Sequence, residues 1–140
     1  MTGSGTGHRT VPHTADVRIE AWAPTRERCV AEAVAGMVGS FADVSGSRPG
    51  ETVRARVDRE TDEDLLVAVL DEVIYLLDTR GLVPVGTEVV ALDGGLAVRF
   101  AMTGAEGVPL VGAVPKAVSL HGLRFDQRGD GWSCAVTLDV

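Results

Sequence analysis

The chain has 140 residues, of which 45% are hydrophobic and 24% charged, which excludes a wholly disordered protein and predicts one domain with a buried core. Its formal net charge of −7, from 20 acidic and 13 basic residues without a basic cluster, argues against direct binding to RNA or DNA. A membrane span is not expected either, because no apolar run approaches the ~20 residues that it needs.

The first seven residues are rich in Gly, Ser and Thr and are expected to form a flexible tail without targeting character. A single domain is expected at residues 8–140. Because no secretory signal is recognisable, we expect a cytoplasmic protein. The two cysteines, Cys29 and Cys134, lie far apart in the sequence, and we interpret them as buried free thiols.

A strand and a helix follow the tail. Residues 17–22 alternate at the period of a half-buried strand. Pro24 and Thr25 end this strand, and Thr25 is the predicted N-cap of a helix. The apolar side chains from Cys29 to Phe41 recur at helical spacing and form one stripe.

A second strand and helix are followed by strands alone. Residues 53–57 alternate as a strand, and Thr61 with Asp64 resembles a capping box at the start of a helix that ends at Gly81. Residues 82–92 and 96–102 flank an Asp-Gly-Gly turn and predict a hairpin. A glycine-rich link at 103–112 leads to strands at 114–126 and 132–140, joined by a turn at 128–131.

The predicted order is therefore β-α-β-α-β-β-β-β. Strands dominate the second half of the chain and pair locally, which favours an α+β fold over a doubly wound parallel sheet. We predict a mainly antiparallel sheet with two helices that cover one of its faces.

The common motifs of nucleotide-dependent and hydrolytic enzymes are absent from the sequence. It contains no GxxxxGKS/T, no GxGxxG after a strand, no GxSxG, no HExxH and no CxxC. Gly94 and Gly95 belong to a predicted hairpin turn that is too short to cradle a phosphate. These absences disfavour a nucleotide-dependent enzyme.

Three polar segments remain as candidates for chemistry. Residues 13–16, His-Thr-Ala-Asp, precede the first strand, although they also fit an ordinary turn. In residues 116–122, strand alternation places Ser119 and His121 on one face, which also fits a plain strand with a hydrogen-bonded histidine. Residues 137–140 lie within or directly after the last strand, where a solvated end is the simpler interpretation.

The last of these segments would hold two negative charges close together. Asp139 precedes Val140, whose carboxylate would be fixed by the strand, and such charges repel each other unless solvent or a cation intervenes. If Asp16 came near them, three carboxylates would meet, as the hard cations Ca²⁺ and Mg²⁺ prefer. An acidic surface also suits a metal ion or a basic protein partner. The spacing alone does not show that Asp16 and Asp139 meet.

Taken together, several stretches resemble the archease family. They are HTADV at 13–17, DEVIYLLD at 71–78 with Gly81, KAVSLHGL at 116–123, GW at 131–132 and the closing LDV at 138–140. Their order and approximate spacing agree with the family over nearly all of residues 8–140. The resemblance implies a strand-helix-strand-strand module that carries a similar module as an insertion, which is consistent with the α+β prediction.

The resemblance also implies a function. Archeases are accessory proteins rather than enzymes, and they assist the GTP-dependent ligase that joins 3′-phosphate and 5′-hydroxyl RNA ends in tRNA splicing and RNA repair. They promote guanylylation of that ligase and its multiple turnover. The family binds a divalent cation, usually described as calcium, at positions that correspond to Asp16, Asp139 and Val140. Val140 could contribute only main-chain or terminal oxygens.

The same resemblance implies contacts with the partner protein. His13, Lys116 and His121 are expected to shape or contact the partner surface. The chain departs from the family pattern at Ser119-Leu120, where Thr-Tyr is expected, so a tyrosine hydroxyl is missing there. The link before Lys116 is also short and apolar.

Two other functions fit the same residues. A small stand-alone hydrolase or nucleotidyl enzyme could use His13 or His121 as general base with Asp16 orienting it, although no nucleophile or phosphate loop accompanies them. The other hypothesis is an interaction module whose metal serves stability alone. Turnover of a nucleotide or RNA by the purified protein would favour the enzyme, whereas ligase activation by metal-site variants would favour a structural metal.

Overall fold

The computed structural model describes residues 5–12 and 16–140 and has the predicted α+β architecture. The helices and strands in this part of the chain are, in order, β1 (Gly7–Pro12), β2 (Asp16–Ala23), α1 (Arg26–Phe41), β3 (Glu51–Asp58), α2 (Asp62–Arg80), β4 (Leu82–Leu92), β5 (Gly95–Gly104), β6 (Ala117–Arg128) and β7 (Gly131–Asp139). A short 3₁₀ turn, Ala105–Gly107, follows β5. Neither of the two helices in these residues is long and apolar enough to cross a membrane.

The strands form two antiparallel sheets, ordered β1-β2-β7-β6 and β3-β5-β4. β2, α1, β6 and β7 make up one strand-helix-strand-strand unit, which we call the outer module. β3, α2, β4 and β5 make up a second unit, the inserted module, which lies between α1 and β6 in the sequence. Both modules order their strands first-third-second. The predicted module within a module is therefore confirmed, with two sheets where a single one was predicted.

β1 is a strand that the sequence pattern did not predict. It begins at Gly7, at the end of the predicted tail, and pairs along β2 from Trp22 to Val17. Its residues lack the apolar alternation of a strand, and Pro12 lowers strand propensity, but an edge strand tolerates both features. A Cβ at Gly7 would lie 2.5 Å from Cζ2 of Trp22, so only glycine lets the indole pack against β1 here.

The predicted helix ends are confirmed. The Thr25 hydroxyl accepts a hydrogen bond from the Arg28 amide at 3.2 Å, and the Thr61 hydroxyl accepts one from the Asp64 amide at 3.1 Å. Each interaction satisfies an amide that the helix itself leaves unpaired. Gly81 ends α2 with a left-handed φ of 62°, and its amide donates to the carbonyls of Leu76 and Leu77.

One hydrophobic core joins the two modules. α1 packs against β2 of the outer module and against β4 of the inserted module. Ile19, Leu66, Phe100 and Leu138 all lie in this continuous buried cluster, so each sheet is held by the other module as well as by its own helix.

The two cysteines are buried in this core and are free thiols. Cys29 lies on α1 and Cys134 on β7. A hydrogen bond with the Cys134 thiol, together with burial, raises the pKa of the Cys29 thiol. The Cys29 thiol is therefore protonated at neutral pH, and both cysteines pack as small apolar side chains.

Candidate metal centre

Asp16 and Asp139 lie directly opposite each other in the sheet. Asp16 is the first residue of β2 and Asp139 the last residue of β7, and they are register partners in the antiparallel β2–β7 pair. Opposite residues of antiparallel strands have Cα atoms roughly 4.5–5.5 Å apart and project their side chains to the same face. Two carboxylates that are distant in sequence therefore meet at one end of the outer module.

Asp139 is fixed from both sides by its neighbouring strands. Its carbonyl accepts a hydrogen bond from the Lys116 amide at 2.7 Å, and Ala117 of β6 is its register partner on that side. The side chain of Asp139 is exposed, whereas Asp16 and Val140 are half-buried. The ends of β2 and β7 and the start of β6 thus form a rigid acidic edge, which we call the carboxylate edge.

The carboxylate edge has no cationic partner within the part of the chain that the structure describes. No ion pair or side-chain hydrogen bond to Asp16 or Asp139 occurs there. Arg18, the next residue on the same face of β2, donates instead to the Thr137 hydroxyl at 3.3 Å and to the Gly122 carbonyl at 3.4 Å. Like charges directly opposite on a sheet destabilise it, so a bound cation would relieve this repulsion.

The geometry of the carboxylate edge fits a hard, partly hydrated cation. Two carboxylates offer up to four oxygens, and a main-chain oxygen of Val140 could add another, whereas Ca²⁺ takes 6–8 oxygen ligands in flexible geometry. No group of three or more His, Cys, Asp and Glu residues that could hold a metal occurs in residues 5–12 and 16–140. Water or a partner protein would have to supply the remaining ligands.

His121 lies on a bulge that the strand pattern did not predict. Ser119 pairs with Thr137 and Arg124 pairs with Ala135, so five steps along β6 oppose two steps along β7. Gly122 allows this bulge with a left-handed φ of 70°. The alternation that placed Ser119 and His121 on one face therefore ends at Ser119. The side chain of His121 is exposed, and its amide donates to the Ser119 hydroxyl at 3.2 Å.

The remaining predicted site residues are Lys116, which the structure describes, and His13. Lys116 is exposed and lies directly before β6, next to the carboxylate edge. His13 lies outside the described residues, and so its predicted role stays a prediction. Among the described residues no hydrogen bond joins His121 to Asp16. A pairing of His13 with Asp16, the other one that a stand-alone hydrolase could use, stays a prediction.

Sequence reasoning missed Arg18 and Thr137 as parts of this region. Thr137 is a buried polar residue, with 8% of its surface exposed, and it is the register partner of both Arg18 and Ser119. Through its bonds to Thr137 and Gly122, Arg18 fastens the β6 bulge over β7. Strand alternation from Asp16 would have placed Arg18 on the same face, but nothing local in the sequence predicts the bulge that it holds.

The model of the Archease protein family (MTH1598/TM1083) matches residues 8–140. The chain belongs to the archease family. Probable protein archease of Mycobacterium tuberculosis is 57% identical over 138 residues, which cover 99% of this chain and 77% of that protein. Protein archease of Archaeoglobus fulgidus is 27% identical over 135 residues, which cover 95% of this chain and 98% of that protein.

Solved structures share the fold. The solution structure of protein 1598 of Methanobacterium thermoautotrophicum has a TM-score of 0.78 at 23% identity and covers 96% of this chain and 99% of its own. The crystal structure of an archease from Thermotoga maritima, described as a possible chaperone, has a TM-score of 0.67 at 21% identity and covers 93% and 94%. Because both matches span nearly the whole chain, the archease fold includes the outer and the inserted module together.

Proposed function

We propose that this archease-family protein is a metal-binding accessory factor that activates a GTP-dependent ligase of 3′-phosphate and 5′-hydroxyl RNA ends. It would act in tRNA splicing and RNA repair by promoting guanylylation of the ligase and its multiple turnover. The metal would be a divalent cation, calcium first, held by Asp16, Asp139 and Val140. One observation carries the proposal: Asp16 and Asp139 are register partners on neighbouring strands.

A cation held at the carboxylate edge would assist guanylylation. Transfer of a guanylyl group requires a correctly placed triphosphate, and its catalysis depends mainly on positioning and on electrostatic stabilisation. A divalent cation, when bound, would supply positive charge beside the phosphates. Asp16 and Asp139 would hold that charge at a rigid strand end, where the packing of three strands fixes their position.

An accessory role is supported further by what surrounds the carboxylate edge. Among the described residues, Asp139 is exposed and Asp16 half-buried at the ends of their strands, which suits presentation to another protein. The Thermotoga maritima relative is described as a possible chaperone. The net charge of −7 favours a protein partner over RNA, and two buried free thiols fit the reducing cytoplasm.

A guanylylation assay with the purified ligase tests this function. Labelled GTP, RNA ends and Ca²⁺ or Mg²⁺ would be supplied with wild-type protein, with Asp16→Asn or with Asp139→Asn. We expect the wild type to convert single turnover of the ligase into multiple turnover, and each variant to lower this stimulation at least tenfold. Glu51→Gln, which removes an acidic group from the first residue of β3, is the matched control and should stimulate normally.

Other results of this assay would lead to different conclusions. If the wild type does not stimulate the ligase, the proposed function is wrong. If both aspartate variants stimulate fully but lose thermal stabilisation by metal, the cation is structural. Turnover of GTP or RNA by the protein without ligase would instead indicate an enzyme.

A further inference from the structure

An open groove runs beside the carboxylate edge, between α2 and the segment that leads into β6. Its volume is about 570 Å³, within the range of sites that hold small ligands or a few side chains. We call it the α2–β6 groove. One wall is formed by residues of α2 between Asp71 and Asp78, and the other by residues 114–117.

The α2 wall presents an acidic and aromatic stripe. Asp71, Tyr75 and Asp78 follow one another at spacings of four and three residues, which places them on one face of the helix. The two carboxylate positions are separated by two turns, roughly 10.5 Å along the axis. Tyr75 lies between them with 59% of its surface exposed. The opposite face of α2 supplies the core residues, so folding does not require this stripe.

The acidic residues of the stripe are unfavourable for the isolated chain. Asp78 lies in the last turn of α2, where the negative end of the helix dipole repels a carboxylate. Burial raises the pKa of Asp71, although Arg59 acts in the opposite direction. Within the described residues neither carboxylate has an ion-pair partner. A basic group that entered the groove would remove both penalties.

The groove is continuous with the carboxylate edge. Ala117 lines the groove and is at the same time the register partner of Asp139. Lys116 also lines the groove, and its amide binds the Asp139 carbonyl. A segment seated in the groove would therefore lie next to Asp139. The residues that line the groove include one basic side chain, Lys116, and two acidic ones. The groove therefore carries a net negative charge.

We propose that the α2–β6 groove is the docking surface for a segment of the ligase that carries an apolar side chain flanked by a basic one. The apolar side chain would pack against Tyr75 and Val114, both of which are exposed, and the basic one would pair with Asp71 or Asp78. This inference rests on the proposed function, since the ligase is the occupant. It separates two tasks: the groove binds the partner, and the carboxylate edge holds the metal.

A double variant, Tyr75→Ser with Asp78→Lys, tests the docking surface. Lysine in the last turn of a helix is favourable and Tyr75 is exposed, so the variant should fold. We expect it to weaken the Kd for the purified ligase at least tenfold and to reduce the salt dependence of binding. Its calcium affinity should stay within twofold of the wild type.

The matched control is Val90→Ser with Asp93→Lys. It removes one exposed apolar side chain and reverses one exposed charge on the inserted module, outside the groove. Biolayer interferometry at low and high salt would compare the proteins, and calorimetric titration with calcium would follow metal binding. The control should bind the ligase within twofold of the wild type.

Three outcomes would overturn the proposal. The first is equal ligase binding by the groove variant and the wild type. The second is self-association of the wild type that the groove variant loses in sedimentation analysis, which would make a second copy the occupant. The third is no wild-type binding at all, which would remove the ligase as the occupant of the groove. If such a wild type still stimulated the ligase, the docking proposal would be wrong and the proposed function would stand; if it did not, both would be wrong.

Discussion

The outer and inserted modules have the same topology but differ in charge at the equivalent place. In each, the first strand pairs antiparallel with the third. The first residue of the first strand lies opposite a residue at or near the end of the third strand. In the outer module these residues are Asp16 and Asp139. In the inserted module they are Glu51 and Met102, and the Glu51 carboxylate accepts a hydrogen bond from Arg80 at 2.7 Å.

The topology brings the two strand positions together, whereas the side chains determine their charge. The strand order brings the two positions together in both modules. Only the outer module places carboxylates at both positions, and there the nearby guanidinium of Arg18 binds Thr137 and Gly122. An acid pair that engages no cation among the described residues is therefore a property of these two side chains and not a consequence of the topology, which is why we assign it a function.

Core substitutions in either module should show that the two modules unfold as one structural unit. Leu138→Ala in the outer module and Phe100→Ala in the inserted module each remove a fully buried side chain from the common core. Each should lower the free energy of unfolding by about 2–5 kcal/mol. Urea denaturation followed by circular dichroism should still show one transition. Two separate transitions in either variant would mean that the modules unfold independently.

The two equivalent positions should also differ in their contribution to calcium affinity. Asp139→Asn should weaken calcium binding at least tenfold, which corresponds to about 1.4 kcal/mol. Glu51→Gln should change it less than twofold, because that position faces Met102 and Arg80 rather than another carboxylate. Isothermal titration calorimetry with Ca²⁺ measures both. An equal loss in the two variants would remove the distinction between the modules.

The same two variants should change the stability of the metal-free protein in opposite directions. Asp139→Asn relieves repulsion between opposite carboxylates and should stabilise the protein by about 0.2–1 kcal/mol. Glu51→Gln breaks an exposed ion pair with Arg80 and should destabilise it by about 0.2–1 kcal/mol. Denaturation in the presence of a chelator provides the measurement. If Asp139→Asn were destabilising, its carboxylate would already have a favourable partner in the folded chain.

Asp71 should make the stability of the protein depend weakly on pH. Because burial raises the pKa of this carboxyl in the folded state, ionisation of Asp71 costs stability. The cost is complete above the folded-state pKa, shrinks as the pH falls through that pKa, and is gone below the unfolded-state pKa. Asp71→Asn should therefore raise stability at pH 7 by on the order of 0.5 kcal/mol or less. The gain should vanish in acid when Tm is measured as a function of pH. A gain that persisted at low pH would have another cause.

Local sequence patterns predicted most of the secondary structure, because the signals that fix it are local. Thr25, Thr61 and Gly81 mark helix ends by chemistry that involves only their neighbours, and the Asp-Gly-Gly turn joins β4 to β5 as predicted. β1 was not predicted because it has no apolar alternation of its own. It is stabilised by its pairing with β2. The fold class and the inserted module followed from the order of elements and from the family resemblance.

The carboxylate edge could not be predicted from the spacing of residues in the sequence. Asp16 and Asp139 meet only because β7 returns to pair with β2, a long-range contact that local patterns do not report. The bulge around Gly122 and its bonds to Arg18 are equally non-local. The metal assignment of Asp16, Asp139 and Val140, and the roles of His13, Lys116 and His121, stay predictions.

If Asp16 and Asp139 together hold a hard cation, crystals grown with calcium should show the ion by long-wavelength anomalous diffraction. We predict an anomalous peak within ~2.3–2.6 Å of carboxylate oxygens from both residues, and its loss in Asp139→Asn. Calcium bound elsewhere at saturating concentration, with both carboxylates contacting only water, would contradict the account.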